Sequence, residues 1–224
     1  MSALGVVPAR GGSKGVPGKN LALVGGEPLV VHTIRAALAA ETLDRVICST
    51  DDDEIAAVAR AAGAEVVMRP AELARDESPT EDALLHVLDT LEPPEPKYVV
   101  TLEPTSPLRT PALIDACVRL ARERDADAVI TVSETRAVHG RVEDGLFVPL
   151  VPGQPRRRQL RTPLYQESST VYVTRTAYLR AAHSVVGERV YAHVVPEEEA
   201  IDINSELDLD VADALLRRRA GERA

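Results

Sequence analysis

Residues 3–20 read ALGVVPARGGSKGVPGKN. The opening ALGVVP is a short apolar run and predicts a buried first strand. The thirteen residues from Pro8 to Asn20 contain four glycines and two prolines, which forbid a regular element and permit tight turns. Outward from this strand and loop, apolar segments alternate in period. Residues 28–40 carry helical spacing after Pro28, DRVICST (44–50) is strand-like, and 51–64 starts with helix-favouring acids and ends near Gly63. EVVM (65–68) is a strand, 78–91 a helix with Ser78 or Thr80 as its expected cap, and EPPEPK (92–97) a linker. YVVTL (98–102), a helix near 111–124 and DAVITV (127–132) complete five strand–helix alternations. Such a run predicts an α/β fold with a Rossmann-like, mainly parallel sheet and helices on both faces.

The alternation stops at 133–170, a stretch of turns with a basic run at Arg156, Arg157 and Arg158. It predicts an excursion from the sheet, a lid or a dimer arm, within one domain spanning 1–224. STVYVTR (169–175) and RVYAHVV (189–195) return as strands, and Ser205 caps a last helix with early acids and late arginines.

The chain has 224 residues, 45% of them hydrophobic, enough to bury a sizeable core and exclude wholesale disorder. With no Trp and a single Phe, that core must be aliphatic. The lack of rings also disfavours an RNA reader built on stacking platforms. A net charge of −9 argues against non-specific nucleic-acid binding, and most of the acids read as a solvated surface. Cys48 and Cys117 sit in apolar runs without CxxC spacing and read as buried small hydrophobes. The five histidines have no metal-ligand spacing. No apolar run reaches the ~18 residues of a membrane span, and the start of the chain reads as a strand and not a signal peptide. A cytoplasmic protein without membrane contact is the expectation.

The loop carries the first chemical signal. It leaves the carboxyl end of the first strand, where open α/β sheets bind ligands, and it places Arg10, Lys14 and Lys19 there among glycines that let backbone N–H groups approach an anion. A polyphosphate suits it. The dinucleotide fingerprint GxGxxG is absent because Gly11 and Gly12 are adjacent, which disfavours a nicotinamide-dependent oxidoreductase. Walker A fails because Ser13 stands where its first Gly belongs and Asn20 where its Ser or Thr belongs.

PARGGSKGVPGKN resembles the opening signature of the cytidylyltransferases that activate sialic acid and related nonulosonic acids. The segments at 46–84, LEPTSPLRT (102–110), LYQESSTVYVTR (164–175) and AIDINSELDLDVAD (200–213) resemble four further blocks of that family, in the same order. The resemblance implies a nucleotidyltransferase-type fold, a homodimer, Mg²⁺, and transfer of CMP from CTP to a small acidic 2-keto sugar with release of pyrophosphate. It places Arg10, Gly11, Gly12, Ser13, Lys14, Lys19, Asn20, Arg69 and Ser78 around the nucleotide, with Arg10, Lys19 and Asp202 as the catalytic set. Glu103, Thr105, Ser106, Arg109, Gln159, Tyr165 and Ser168 fall near the sugar, and Asp202 with Asn204 at the metal, in the two positions of the family's Asp-x-Asp.

Two residues depart from that pattern. Glu103 stands where sialic-acid-activating members usually have Gln, which keeps an acceptor and loses a donor, so an acceptor other than plain N-acetylneuraminate is expected. Asn204 replaces a carboxylate with a neutral carbonyl. Two other readings remain open: a nucleotidyltransferase with a different NTP or with a phosphonate or sugar-phosphate acceptor, and a sugar-nucleotide-binding protein without catalysis.

Overall fold

Successive side chains of the first strand, β1 (Ala3–Pro8), point to opposite faces of the sheet, and both faces are buried. Ala3 and Val7 enter one core with Val30, Ile34, Ile55, Ile114 and Cys117, while Leu4 and Val6 enter a second with Leu84, Val87 and Leu179. A strand buried on both sides reads as a continuous apolar run, as this one does.

The computed structural model describes residues 2–13 and 15–221. After β1 comes a small hairpin, β2 (Leu23–Val24) and β3 (Glu27–Pro28), then helix α1 (Leu29–Leu38). β4 (Arg45–Thr50), α2 (Asp53–Ala61), β5 (Glu65–Met68), α3 (Thr80–Asp89), β6 (Tyr98–Thr101), α4 (Pro111–Glu123) and β7 (Ala128–Thr135) follow in alternation. Next come the hairpin β8 (Gly140–Glu143) and β9 (Leu146–Pro149), the long β10 (Leu164–Arg175), α5 (Thr176–Ala182), β11 (Val190–Val195) and α6 (Glu206–Arg219).

The seven-stranded sheet has the order β11-β7-β10-β6-β1-β4-β5. β1 pairs in parallel with β4 and β6, β4 with β5, and β7 with β11; only β10 runs antiparallel, between β6 and β7. The mainly parallel sheet expected from the alternation is present. α1, α2 and α4 cover one face, and α3 and α5 the other. The chain order reverses beside β1, between β4 and β6, and the carboxyl ends of β1 and β6 open a crevice there.

Helix starts follow local chemistry. Asp52 accepts from the N–H groups of Glu54 and Ile55, Thr110 caps α4 ahead of Pro111, and Ser205 with Asp208 forms a capping box on α6. The expected cap of α3 is not found. Pro79 occupies the position, and the Ser78 hydroxyl donates to Glu72 O at 2.8 Å. Pro79 lacks a side-chain acceptor, and Thr80 already lies within the helix.

The excursion is narrower than 133–170 suggested. β7 runs on to Thr135 and β10 starts at Leu164, so the sheet itself extends into both ends of the stretch. Between them stands the β8–β9 hairpin, with Val142 75%, Leu146 69% and Phe147 57% exposed. Cys48 and Cys117 are buried and free, and burial pushes both thiols up to about 12. No helix among the described residues is long and apolar enough to cross a membrane.

Candidate active site

The loop after β1 is held from three sides. Ala9 N–H donates to Ser49 O at 2.9 Å, and Gly11 N–H donates to Asp51 Oδ1 at 3.0 Å, which ties the loop to the end of β4. Asn20, almost fully buried, donates from Nδ2 to Arg10 O at 2.8 Å and closes the loop on itself. Lys19 Nζ donates to Ile203 O at 2.7 Å, joining the loop to the segment before α6. Gly15 lies so close to Asn204 O that a Cβ there has no room, and Gly18 adopts φ +65° as the loop turns into Lys19.

The loop walls a cavity of about 310 Å³ at the switch point of the sheet. Arg10, Gly12, Ser13, Lys19 and Asn20 form one wall. Arg69, Leu73, Arg75, Asp76, Ser78 and Thr80, from the segment after β5, form the second, and Glu103, Pro104 and Thr105, from the turn after β6, close the end. No aromatic side chain lines it, as the ring-poor composition implied.

Its charges are unevenly satisfied. Arg10 donates from Nη1 to Arg75 O at 2.9 Å and pairs through Nη2 with Asp76 at 3.0 Å, so one edge of the guanidinium is anchored to the opposite wall. Arg69 is 8% exposed, and its Nε has no hydrogen-bond partner. Burial lowers its pKa, and Asp51 opposes that effect. Burial also lowers the pKa of Lys19, against the pull of Asp202 and Glu103. Burial raises that of Glu103, Asp202 raises it further, and Arg109 and Lys19 oppose both.

Asp202 and Asn204 flank Ile203, whose N–H donates to Thr105 O at 2.9 Å; this bond fixes the segment beside the turn after β6. Asn204 Nδ2 donates to Asp202 Oδ2 at 2.8 Å, whereas Asp202 Oδ1 is buried without a partner. Among the described residues no group of three or more His, Cys, Asp or Glu is gathered to hold a metal.

Of the residues expected at the nucleotide, Arg10, Gly12, Ser13, Lys19, Asn20, Arg69 and Ser78 line the one cavity, and Lys14 lies outside the described residues. Gly11 is different. Its N–H is spent on Asp51, so it shapes the loop and offers no donor to an anion.

Of the residues expected at the sugar, Glu103 and Thr105 reach the cavity. Arg109 does not: it is 4% exposed and donates to Thr170 O, Thr33 Oγ1 and Glu103 O, tying β10, α1 and the turn together. Ser106 is fully buried, and Ser168 is buried with its hydroxyl against Thr170 Oγ1. Gln159 and Tyr165 are exposed on the excursion, away from the cavity. Asp76 and Arg75 were missed. Their only signal was a polar stretch between Pro70 and Pro79, which reads as an ordinary loop.

The family model for cytidylyltransferases matches residues 4–191. The chain belongs to the cytidylyltransferase family. Among curated members, the N-acylneuraminate cytidylyltransferase of Streptococcus agalactiae serotype III is 31% identical over 216 residues, covering 93% of this chain and 52% of that protein. The CMP-N,N'-diacetyllegionaminic acid synthase of Legionella pneumophila is 29% identical, covering 96% of this chain and 97% of that protein. The chain thus spans about half the length of the N-acylneuraminate cytidylyltransferase and nearly all of the shorter synthase. A solved structure of CMP:2-keto-3-deoxy-manno-octonic acid synthetase complexed with CTP superposes with a TM-score of 0.74 at 18% identity, covering 98% of this chain and 100% of that one. The 4-diphosphocytidyl-2C-methyl-D-erythritol synthase of Anaerococcus prevotii gives 0.68 at 17% identity, covering 97% and 96%. Both establish the nucleotidyltransferase fold of this family member.

Proposed function

We propose that this cytidylyltransferase-family chain transfers CMP from CTP to the anomeric hydroxyl of a 2-keto sugar acid of the nonulosonic class, releasing pyrophosphate. The observation that carries this reading is the cavity itself. One compartment at the switch point joins a glycine-rich cationic loop to a buried, unpartnered guanidinium donor at Arg69 and a carboxylate end at Glu103.

A triphosphate lies along Arg10, Gly12, Ser13 and Lys19, and the cytidine lies against Asn20, Arg69 and Ser78, read by hydrogen bonds without stacking. Lys19 sits at the carboxylate end, where the acceptor meets the α-phosphorus, and offsets the charge that grows there. The anomeric oxygen bonds to the α-phosphorus, the α–β bridging bond breaks, and the hydroxyl proton is released. Such transfers depend on positioning and charge neutralisation, so no side-chain nucleophile is required. Lys14 belongs to the same anion site by its place in the loop.

Mg²⁺ fits the donors present. Asp202 Oδ1 is a buried carboxylate oxygen without a partner, and Mg²⁺ commonly takes one or two carboxylates together with substrate phosphates and water. When bound it would neutralise phosphate charge. The acceptor lies beyond Glu103 and Thr105.

The excursion is read as a dimer arm. Val142, Leu146, Phe147, Leu150 and Leu160 expose apolar side chains along it, as does Tyr165 near the start of β10, and these are what such an arm would offer a second copy. In a homodimer, Gln159 and Tyr165 on one arm would approach the partner's sugar site. We place the reaction in the cytoplasm.

Pyrophosphate release across the four NTPs and a panel of sialic, legionaminic, phosphonate and sugar-phosphate acceptors tests the reading. Release only with CTP and a nonulosonic acid is the expected result. Release with another pair reassigns the substrates, and tight CTP binding with no release in any pair points to a binding protein.

A further inference from the structure

Arg10 reaches across the crevice and takes hold of one turn on the far wall. Arg75 O accepts from Ser78 N–H at 3.1 Å, which closes the turn 75–78, and the same oxygen accepts from Arg10 Nη1 at 2.9 Å. Asp76, the next residue of that turn, pairs with Arg10 Nη2 at 3.0 Å. Arg10, Arg75, Asp76 and Ser78 all line the one cavity. The turn has support besides Arg10, because the Ser78 hydroxyl donates to Glu72 O at 2.8 Å.

An ion pair this open adds little stability. The two side chains are 32% and 35% exposed, and water screens such a pair. Its effect on geometry is larger. An arginine side chain has many rotamers, and a contact that fixes its guanidinium in advance removes that ordering cost when an anion arrives. Arg75 O and Asp76 take one N–H from each Nη, and the planar fork carries further N–H groups. The root of the same residue is fixed as well, since Arg10 O accepts from Asn20 Nδ2 at 2.8 Å. Arg10 is thus held at its backbone and at its tip.

We propose that Asp76 is a positioning residue: together with Arg75 O it presets the Arg10 guanidinium for the polyphosphate, and it acts by geometry and not by charge. A carboxylate beside an incoming polyphosphate repels it. Two effects therefore oppose each other at Asp76, and the positioning effect is the larger. This inference rests on the assignment of Arg10 to the triphosphate under the proposed function.

The test measures equilibrium binding of CTP, inorganic tripolyphosphate and cytidine, with a chelator present, to the wild-type chain and its variants. Asp76→Ala is expected to weaken CTP and tripolyphosphate about fivefold or more and cytidine by less than about twofold. Retained cytidine binding shows that the variant is folded, and a merely structural role would lower all three ligands together. Asp76→Asn keeps an acceptor and drops the repulsion, so it should bind CTP as tightly as wild type or more tightly. Glu77→Ala removes the neighbouring carboxylate and controls for a general change of charge; it should stay within about twofold of wild type. In an Arg10→Met background, Asp76→Ala should add less than about twofold.

Four results overturn the proposal: Asp76→Ala binding tripolyphosphate as tightly as wild type or more tightly, Asp76→Asn losing as much as Asp76→Ala, an equal loss of cytidine, or an undiminished effect of Asp76→Ala in the Arg10→Met background. The two levels of the argument fail differently. If Arg10→Met weakens neither CTP nor tripolyphosphate, the phosphate assignment of Arg10 falls and this inference with it. If Arg10→Met weakens both while Asp76→Ala changes nothing, only this inference falls.

Discussion

Arg69 and Arg109 are 8% and 4% exposed, and their surroundings give them opposite jobs. Arg109 finds acceptors for Nε, Nη1 and Nη2 inside the fold, and burial depresses its pKa to about 9. Arg69 lines the cavity with Nε unpartnered. Arg109→Met leaves three acceptors unpaired and is expected to destabilise the chain by about 3 kcal/mol or more, read in urea unfolding. Arg69→Met removes a poorly satisfied buried cation, so the melting temperature should hold or rise, while CTP affinity measured by calorimetry should fall by about tenfold or more. Lys19, half-buried, is the third cation, held on Ile203 O with Asp202 and Glu103 as its charged neighbours. Lys19→Ala is expected to lower kcat by about 10²–10³-fold with the fold intact, as loss of one charge-stabilising donor does. The sequence put Lys19 and Arg69 at the nucleotide and Arg109 at the sugar without telling their surroundings apart. Burial and acceptor supply separate them, and both come from chain segments far away.

Elements were easier to read than their contacts. The alternation at β1, the acids opening α2, Pro111 at the start of α4 and Ser205 ahead of α6 each act within a few residues, so local chemistry exposes them. The exception at α3, where neither Ser78 nor Thr80 caps, arises because Ser78 is drawn to Glu72 O across the cavity wall. α4 shows a link that no local pattern reveals. Asp115 accepts from Thr42 N–H at 2.8 Å, from its hydroxyl at 2.7 Å and from Glu41 N–H at 3.3 Å, pinning the turn before β4. Burial pushes the Asp115 pKa up, but the Thr42 and Glu41 donors outweigh it, and the net value lies below the ordinary 3.8. Its stabilisation is therefore fully present above that unfolded-state value and is lost as pH falls through the lower folded one. Asp115→Ala is expected to cost about 1–3 kcal/mol at neutral pH, with the gap to wild type narrowing in strong acid, measured by urea unfolding at both pH values.

The apolar arm and the cavity stand at different parts of the molecule, and a dimer would join them. Replacing Val142 and Phe147 by Asp is expected to convert the particle to a monomer in analytical ultracentrifugation. CTP binding should remain, and acceptor turnover should fall. A variant that sediments like wild type would count against the arm as the interface. At this scale the sequence determined the class of fold, because short strand-like runs such as β1 and β6, buried on both faces, alternate with helical patterns through β7. It also determined where the cavity would lie, because a glycine-rich loop following a first parallel strand falls at the carboxyl edge of the sheet. Only the tertiary structure decided the rest. β10 enters antiparallel between β6 and β7, and a strand's direction is a property of its neighbours, not of its own residues. The same holds for the junction of Glu103, Asp202 and Lys19. A 2.9 Å bond between Ile203 and Thr105 brings together residues about a hundred positions apart, and no spacing along the chain encodes a contact across it.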